Sequence, residues 1–272
     1  MAAQALAATG LGSRGALIVF EGADRCGKST QTRLLVDALA GRGADATLQR
    51  FPDRQTAIGS MIDRYLKCEA ELDDRAVHLL FAANRWECSG ALAARVRAGG
   101  VVVCDRYAYS GVAFSGAKPG LGLAWCKRPD VGLPEPDAVI YLDLPTEDAE
   151  RRGDFGAERY ERGDMQRRVA DNFRQLIDGD ARARPGLWHV LDARRSIEDL
   201  HEEIVKIGAS RRAARARGAR RGFFCRAESH TLRRCVRART QSTRPSSARR
   251  TNPSGGCGRT TRTAHRTSEP SA

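Results

Sequence analysis

The sequence reads Gly22-Ala-Asp-Arg-Cys-Gly27-Lys28-Ser29-Thr30 directly after the apolar stretch Ala16–Phe20. Glycines at both ends let the backbone amides turn inward without Cβ clashes, and the positive end of a following helix adds to the phosphate cradle. This spacing after a strand-like run is typical of a P-loop, in which Lys28 reaches the β- and γ-phosphates and the Ser29 hydroxyl ligates Mg²⁺. The stretch therefore predicts that a nucleoside triphosphate binds between a strand and a helix.

Apolar runs alternate with helical stretches along the rest of the chain, which predicts an α/β fold with a parallel sheet covered on both faces. The predicted strands are Ala16–Phe20, Ala46–Arg50, Val101–Cys104, Ala138–Leu142 and Trp188–Leu191. The predicted helices span Lys28–Ala40, Asp73–Arg97 and, from a capping-box-like start, Ser196 to about Ile207. The segment 110–136 is rich in Gly and Pro and predicts a loop with one short helix.

The net charge of +13 is unevenly distributed. Residues 208–272 contain 17 Arg, no Lys and two Glu, whereas residues 1–207 contain 29 basic and 31 acidic residues. The basic character therefore belongs to the end of the chain. Few aliphatic residues occur after Gly208, which predicts a disordered, Arg-rich tail over 208–272 and a domain over 15–207. Residues 1–14 are expected to form a flexible extension.

Eight cysteines are scattered, with neither a CxxC pair nor a Cys/His cluster at zinc spacing. Scattered free thiols suit a reducing compartment. The first 13 residues lack the basic start of a secretory signal, and no stretch approaches a membrane span. We expect the cytoplasm, with the nucleus as a further location and the mitochondrion less favoured.

Two further segments carry groups suited to nucleotide chemistry. Asp105 ends a predicted central strand, where a carboxylate would lie beside the Mg²⁺, and Arg106 would enter the same crevice and bind an acceptor phosphate. Phe81 and Arg85, spaced i and i+4 on one helix, offer an aromatic face and a guanidinium to a flat base with an exocyclic carbonyl. Taken alone, Phe81 fits a core position better, whereas Arg85 is harder to explain in a core because a buried guanidinium needs a partner.

The charged, Gly-punctuated segment 151–163 is typical of a mobile lid, within a lid region over about 142–166. Charge pattern alone would favour a solvated helix face with i,i+4 ion pairs.

Taken together, these motifs resemble thymidylate kinases over about residues 15–207. The resemblance rests on the segments Phe20–Thr30, Arg50–Arg54, Leu80–Glu87, Asp105–Tyr107, Ser110–Lys118, Pro129–Pro134 and Glu158–Glu161. It implies a P-loop nucleoside monophosphate kinase fold with a five-stranded parallel sheet and a homodimer. It also implies Mg²⁺-dependent transfer of the γ-phosphoryl group of ATP to dTMP.

The resemblance also implies roles for individual residues. Asp24 is similar to the carboxylate that holds the sugar 3′-hydroxyl, and Arg25 to an arginine that reaches the transferring phosphoryl, a feature of the eukaryotic type. The implied catalytic residues are Arg25, Lys28, Asp105 and Arg106. The implied ATP-binding residues are Gly22, Arg25, Cys26, Gly27, Lys28, Ser29, Thr30 and Arg152, of which Arg152 would meet the adenine. Ser29 and Asp105 would hold Mg²⁺, directly or through water.

The resemblance also implies which residues bind dTMP, the acceptor. Arg54 and Arg106 would clamp the dTMP phosphate, while Phe81 would stack on thymine and Arg85 would bind the base carbonyl. Phe51 and Phe114 would wall the pocket. Tyr160 is similar to the lid tyrosine near the sugar 2′ carbon, where it would disfavour a ribose hydroxyl.

Three other classes of protein compete with this interpretation. A GTPase would need an Asn-Lys-x-Asp tetrapeptide, which the sequence lacks. A broader nucleoside monophosphate kinase would differ in its acceptors, and a nucleic-acid-binding protein would act through the basic tail. The tail departs from the family, and it is interpreted either as a translated intron or frameshifted 3′ region, or as a nucleic-acid-binding extension.

Overall fold

The computed structural model describes residues 14–152 and 158–216, the last six by their backbone only. These residues all belong to one unit that extends to Ala227, and the second unit, Glu228–Ala272, lies outside them. The predicted N-terminal extension, part of the lid and most of the Arg-rich tail also lie outside the described residues.

Five parallel strands form one sheet in the order β2-β3-β1-β4-β5. They are β1 (Ala16–Glu21), β2 (Ala46–Arg50), β3 (Val101–Asp105), β4 (Ala138–Asp143) and β5 (Trp188–Asp192). Strands β1 and β3 are buried at every residue, as expected for central strands covered on both faces. The predicted parallel sheet is confirmed, with each strand beginning at its predicted residue.

Helices cover both faces of the sheet. They are α1 (Lys28–Ala40), α2 (Ala57–Leu66), α3 (Asp74–Arg97), α4 (Ala108–Gly116), α5 (Leu123–Lys127), α6 (Thr146–Arg151), α7 (Gly163–Ala183) and α8 (Ile197–Ala216), with a 3-10 turn over Arg128–Asp130. Alternate residues of β1 enter two separate cores. Leu17 and Val19 pack on the side of α3, α4 and α7, while Ile18 and Phe20 pack on the side of α1 and α8.

The structure corrects two predicted boundaries. The segment 110–136 contains more helix than predicted, namely most of α4, all of α5 and the 3-10 turn. The last helix does not end near Ile207 but continues to Ala216. Gly208 is buried in that helix, where an added Cβ would lie 3.1 Å from Leu35 Cδ1. The Ala and Arg residues that follow are strong helix formers, so the helix persists after its aliphatic period ends.

Among the described residues, no helix combines the length and the apolar character needed to cross a membrane.

Candidate active site

The loop after β1 has the backbone that its glycines predict. Gly22 has φ 144° and Gly27, the N-cap of α1, has φ 94°, both conformations that favour glycine. An added Cβ on Gly22 would lie 2.7 Å from Leu142 O and 2.8 Å from Cys26 Sγ. Arg25 also takes a left-handed conformation, with φ 63°. The loop therefore requires glycine at its start, and it carries Arg25 at a strained position.

Lys28 and Cys26 lie inside this loop. The Lys28 ammonium is buried and donates to Ala23 O and to Cys26 Sγ, the latter at 3.3 Å. Arg25, Lys28 and Ser29 line an open cleft over the loop, together with Gly27 and Thr30. Gly22 and Cys26 belong to the loop but do not line that cleft.

Ser29 and Asp105 meet across the ends of two adjacent elements. The Ser29 hydroxyl donates to Asp105 Oδ2 at 2.6 Å, and Arg50 Nη2 lies 3.3 Å from the same oxygen. A hydroxyl beside a carboxylate supplies the hard oxygen ligands that Mg²⁺ prefers, and Mg²⁺ bound with nucleotide phosphates needs only one or two protein carboxylates. The pair fits the predicted metal site.

Arg106 joins the loop to the second half of the site. It has φ 68°, and its guanidinium donates to Gly22 O at 3.0 Å, to Ser110 Oγ at 3.2 Å and to Asp24 Oδ1. Burial alone would lower the pKa of Arg106, but the carboxylates of Asp24 and Asp105 raise it, so the guanidinium stays charged. The predicted phosphate-binding arginine is thus held at the mouth of the P-loop by carboxylate and carbonyl acceptors.

The other two predicted phosphate-binding arginines are also paired with carboxylates. Arg25 Nε donates to Glu161 Oε1 at 2.9 Å. Arg54 binds Asp63 through one guanidinium nitrogen and Glu158 through the other, the latter at 2.7 Å. Because Glu158 and Glu161 both belong to the lid region, the lid contacts each of these arginines.

A second open cavity lies beside the P-loop cleft. Its lining includes every residue predicted to bind the acceptor: Asp24, Phe51, Arg54, Phe81, Arg85, Arg106, Phe114 and Tyr160. Aromatic rings form its walls, with the Arg106 guanidinium carbon 5.0 Å from the Phe114 ring centre and the Phe114 and Tyr160 rings 5.6 Å apart. Asp24, Arg54 and Arg106 are among the residues that line both the cavity and the cleft, so the two are adjacent.

Arg85 is fixed by a partner that the sequence reading missed. Its Nε and Nη2 donate to the two carboxylate oxygens of Asp130, each at 2.8 Å, and both side chains are buried. Asp130 ends the 3-10 turn, 45 residues away along the chain. A buried guanidinium needs a nearby carboxylate, but the sequence does not show which one it is. Arg85 also lines the cavity.

Glu21 and Gln166 are two further residues that the sequence reading did not single out. The buried Glu21 carboxylate accepts from Tyr107 N at 3.0 Å, Ser110 N at 3.2 Å and the Ser110 hydroxyl. Burial raises the pKa of Glu21, and the bond from Ser110 counters part of that rise. Gln166 accepts from Asp24 N at 3.1 Å and donates to Asp24 Oδ2 at 2.7 Å. Both residues orient neighbours of the cavity.

Arg152, predicted to meet adenine, lies against the outer side of the P-loop. Its guanidinium donates to Arg25 O at 3.0 Å and to Ala193 O at 2.8 Å. It therefore bridges the lid region, the P-loop and the segment after β5.

These features define a class of protein: a P-loop phosphotransferase, in which a parallel sheet places a triphosphate cleft next to an aromatic cavity for a second nucleotide. Comparison of this chain with known proteins identifies the family. The family model "Thymidylate kinase" matches residues 20–204. The human thymidylate kinase is 51% identical over 191 residues, which cover 70% of this chain and 88% of the relative. The chain belongs to the thymidylate kinase family.

Other relatives agree. The thymidylate kinase of Schizosaccharomyces pombe is 49% identical over 195 residues, which cover 72% of this chain and 92% of the relative. Among solved structures, the thymidylate kinase of Candida albicans superposes with a TM-score of 0.69 at 32% identity. That match covers 77% of this chain and 97% of the other. Sequence and fold thus assign the same family.

Proposed function

We propose that this chain transfers the γ-phosphoryl group of ATP to dTMP, giving dTDP and ADP. One observation carries the proposal. The cavity that is lined by all the predicted acceptor-binding residues adjoins the P-loop cleft, and Asp24 and Arg106 line both. A monophosphate whose base lies between the aromatic walls would then present its phosphate beside the triphosphate.

The transfer needs alignment and charge neutralisation more than a proton acceptor. An acceptor phosphate oxygen is already nucleophilic at neutral pH, so it attacks the γ-phosphorus while the bond to the β–γ bridging oxygen breaks and ADP leaves. Lys28, Arg25 and Arg106 would offset the repulsion between the two anions. Ser29 and Asp105 would hold Mg²⁺, which when bound neutralises charge on the β- and γ-phosphates.

Asp24, Glu158 and Glu161 pair with the three arginines that are predicted to bind phosphate groups. The ion pairs Arg106–Asp24, Arg54–Glu158 and Arg25–Glu161 keep each guanidinium at the site, charged and oriented. We propose that substrate phosphates displace these carboxylates, which would free Asp24 for the 3′-hydroxyl of the acceptor sugar. Tyr160 would then close against the sugar, and Arg152 against the adenine.

Two aspects of the wider setting belong to the same proposal. Leu79 and Trp86, at spacing i, i+7 on α3, are exposed, and so is Met61 on α2. These side chains support the expected homodimer, because large apolar groups are costly to leave in water. The described cysteines, Cys26, Cys68, Cys88, Cys104 and Cys126, are all free thiols, which supports a reducing compartment such as the cytoplasm.

The test is an ADP-release assay on the full chain, with ATP, Mg²⁺ and in turn dTMP, dUMP, UMP and CMP. We expect the largest kcat/KM with dTMP. Equal activity on all four acceptors would favour a broad nucleoside monophosphate kinase, and no stimulation by dTMP would refute the proposal. Nucleic-acid binding through the Arg-rich tail stays a separate prediction, on residues that are largely outside those described.

A further inference from the structure

His78 is a buried, titratable side chain to which the transfer chemistry gives no role. It lies in α3, is 0% exposed, and does not line the acceptor cavity. Its ring packs against Trp125, with the ring centres 5.1 Å apart. Each of its two ring nitrogens has one polar partner: Nδ1 lies 2.8 Å from Ser115 Oγ, and Nε2 lies 3.0 Å from the carbonyl oxygen of Cys126.

These two partners fix the tautomer of the ring. A backbone carbonyl can only accept a hydrogen bond, so Nε2 must carry the hydrogen. Burial lowers the pKa of His78, and the neighbouring Arg85 guanidinium lowers it further, while Asp130 acts in the opposite sense. The neutral ring then has a bare Nδ1, which accepts the hydrogen of the Ser115 hydroxyl.

Ser115 itself lines the acceptor cavity, one helical turn beyond Gly111 on α4. At Gly111 the backbone lies against the Arg85 head group, since an added Cβ there would be 2.7 Å from Arg85 Nη2. With its hydrogen committed to His78, the Ser115 oxygen presents only lone pairs elsewhere. Within the described part of the chain, no other hydrogen bond involves the Ser115 hydroxyl.

We propose that His78 is a positioning residue for base selection, because it holds the Ser115 hydroxyl as a hydrogen-bond acceptor in the cavity that the donor Arg85 also lines. A donor next to an acceptor complements the C4 carbonyl and N3–H of thymine or uracil. Cytosine carries the opposite pattern, an amino group next to a bare N3, and would face donor against donor and acceptor against acceptor. The inference rests on the proposed function and adds to it a physical reason for the choice of base.

The test compares dTMP with 5-methyl-dCMP, which has the shape of dTMP but the reversed hydrogen-bonding edge. In the full chain we expect Ser115→Ala to lower the ratio of the two kcat/KM values about tenfold. The change should lie in KM for dTMP, with kcat altered less than about threefold. Ser115→Thr, which keeps a hydroxyl, should retain the ratio. An unchanged ratio in Ser115→Ala would overturn the proposal.

His78 is tested by its dependence on Ser115. His78→Phe leaves the hydroxyl able to rotate and donate, so the ratio should fall about as far as in Ser115→Ala. In the double variant it should fall no further, because both substitutions remove the same contact. Effects that multiply would mean that His78 acts independently of Ser115, contrary to the proposal. Val77→Ala, which removes buried volume from the same helix, should leave the ratio unchanged.

A second measurement does not depend on the variants folding. Nitrogen NMR of histidine-labelled full chain should show His78 at neutral pH as the tautomer with hydrogen on Nε2. A hydrogen on Nδ1, or a doubly protonated ring, would overturn the proposal. If the unaltered chain does not turn over dTMP, the proposed function fails instead. Normal dTMP turnover with a ratio insensitive to Ser115 refutes only the role of His78.

Discussion

Arg25 combines a left-handed backbone conformation with an ion pair to the lid region. Its guanidinium pairs with Glu161, and its side chain is about 30% exposed, so its removal should leave the fold intact. We expect Arg25→Ala to lower kcat about 10³- to 10⁵-fold, as for other arginines that stabilise a transferring phosphoryl. The KM for ATP should change little, because Lys28 and the loop amides remain. Steady-state kinetics with varied ATP would measure both constants.

Arg174→Ala is the matched control for that experiment. Arg174 pairs with Asp171 on the exposed face of α7, away from both cavities, so kcat should be unaltered. A kcat of Arg25→Ala within about tenfold of the unaltered chain would show that Arg25 does not act on the transferring group.

Asp130 should matter more to stability than any surface acid. It is 0% exposed and binds the buried Arg85 through both oxygens, so Asp130→Ala leaves a guanidinium without its counter-charge. We expect a loss of about 3–5 kcal/mol in the free energy of unfolding, measured by urea denaturation. Replacing both partners, with Arg85→Met and Asp130→Leu, should cost less. A larger loss in the double variant would contradict this account of the pair.

The sequence predicted the residues of the site better than it predicted the contacts of those residues. The P-loop spacing fixes Lys28 and Ser29 through local backbone geometry, and all the acceptor-side residues expected from the resemblance do line one cavity. The partners of the charged groups were not predictable. Asp130 binds Arg85 and His78 contacts Ser115, and in each pair the two residues are far apart along the chain. Nothing in local periodicity encodes such a pairing.

At the scale of elements, the N-terminus of α3 is stabilised by its N-cap residue, Asp73. Asp73 Oδ1 accepts from Arg75 N at 2.9 Å and from Ala76 N at 3.2 Å, which satisfies two amides at the helix start. We expect Asp73→Ala to lower the free energy of unfolding by about 1 kcal/mol, measured by urea denaturation. Asp73→Asn keeps an accepting oxygen and should cost far less. Equal losses in the two variants would mean that charge, not capping, is responsible.

Element prediction succeeded where a local signal exists. Gly41 and the pair Gly99-Gly100 end α1 and α3 close to their predicted ends, because glycine interrupts a helical period. The predicted end of α8 was wrong because residues 209–216 carry no apolar stripe, whereas their composition still favours a helix. Helix α4 packs along the acceptor cavity and α5 packs against α4, and neither glycine nor proline content predicts those environments.

At the scale of the whole molecule, the end of α8 decides where the domain stops. Gly208 packs beside Leu35 and Ile18, so a chain cut after Ile207 loses a buried residue and the helical turn that follows it. We expect that chain to melt about 2–6 °C below the full chain, since 1 kcal/mol shifts the Tm of a domain of this size by about 2–4 °C. A chain cut after Ala216 should melt with the full chain. Differential scanning calorimetry would compare the three.

Activity supplies the control for this comparison. Every residue assigned to the two cavities lies before Ile207, so both shortened chains should keep kcat/KM for dTMP at a temperature well below melting. Residues 217–272 contain 14 Arg and two Glu, and salt-sensitive nucleic-acid binding that disappears on cutting after Ala216 would assign them a separate role. Equal Tm values for all three chains would contradict the packing argument, because Gly208 and the last turns of α8 would then contribute nothing to the core that supports β1 and its P-loop.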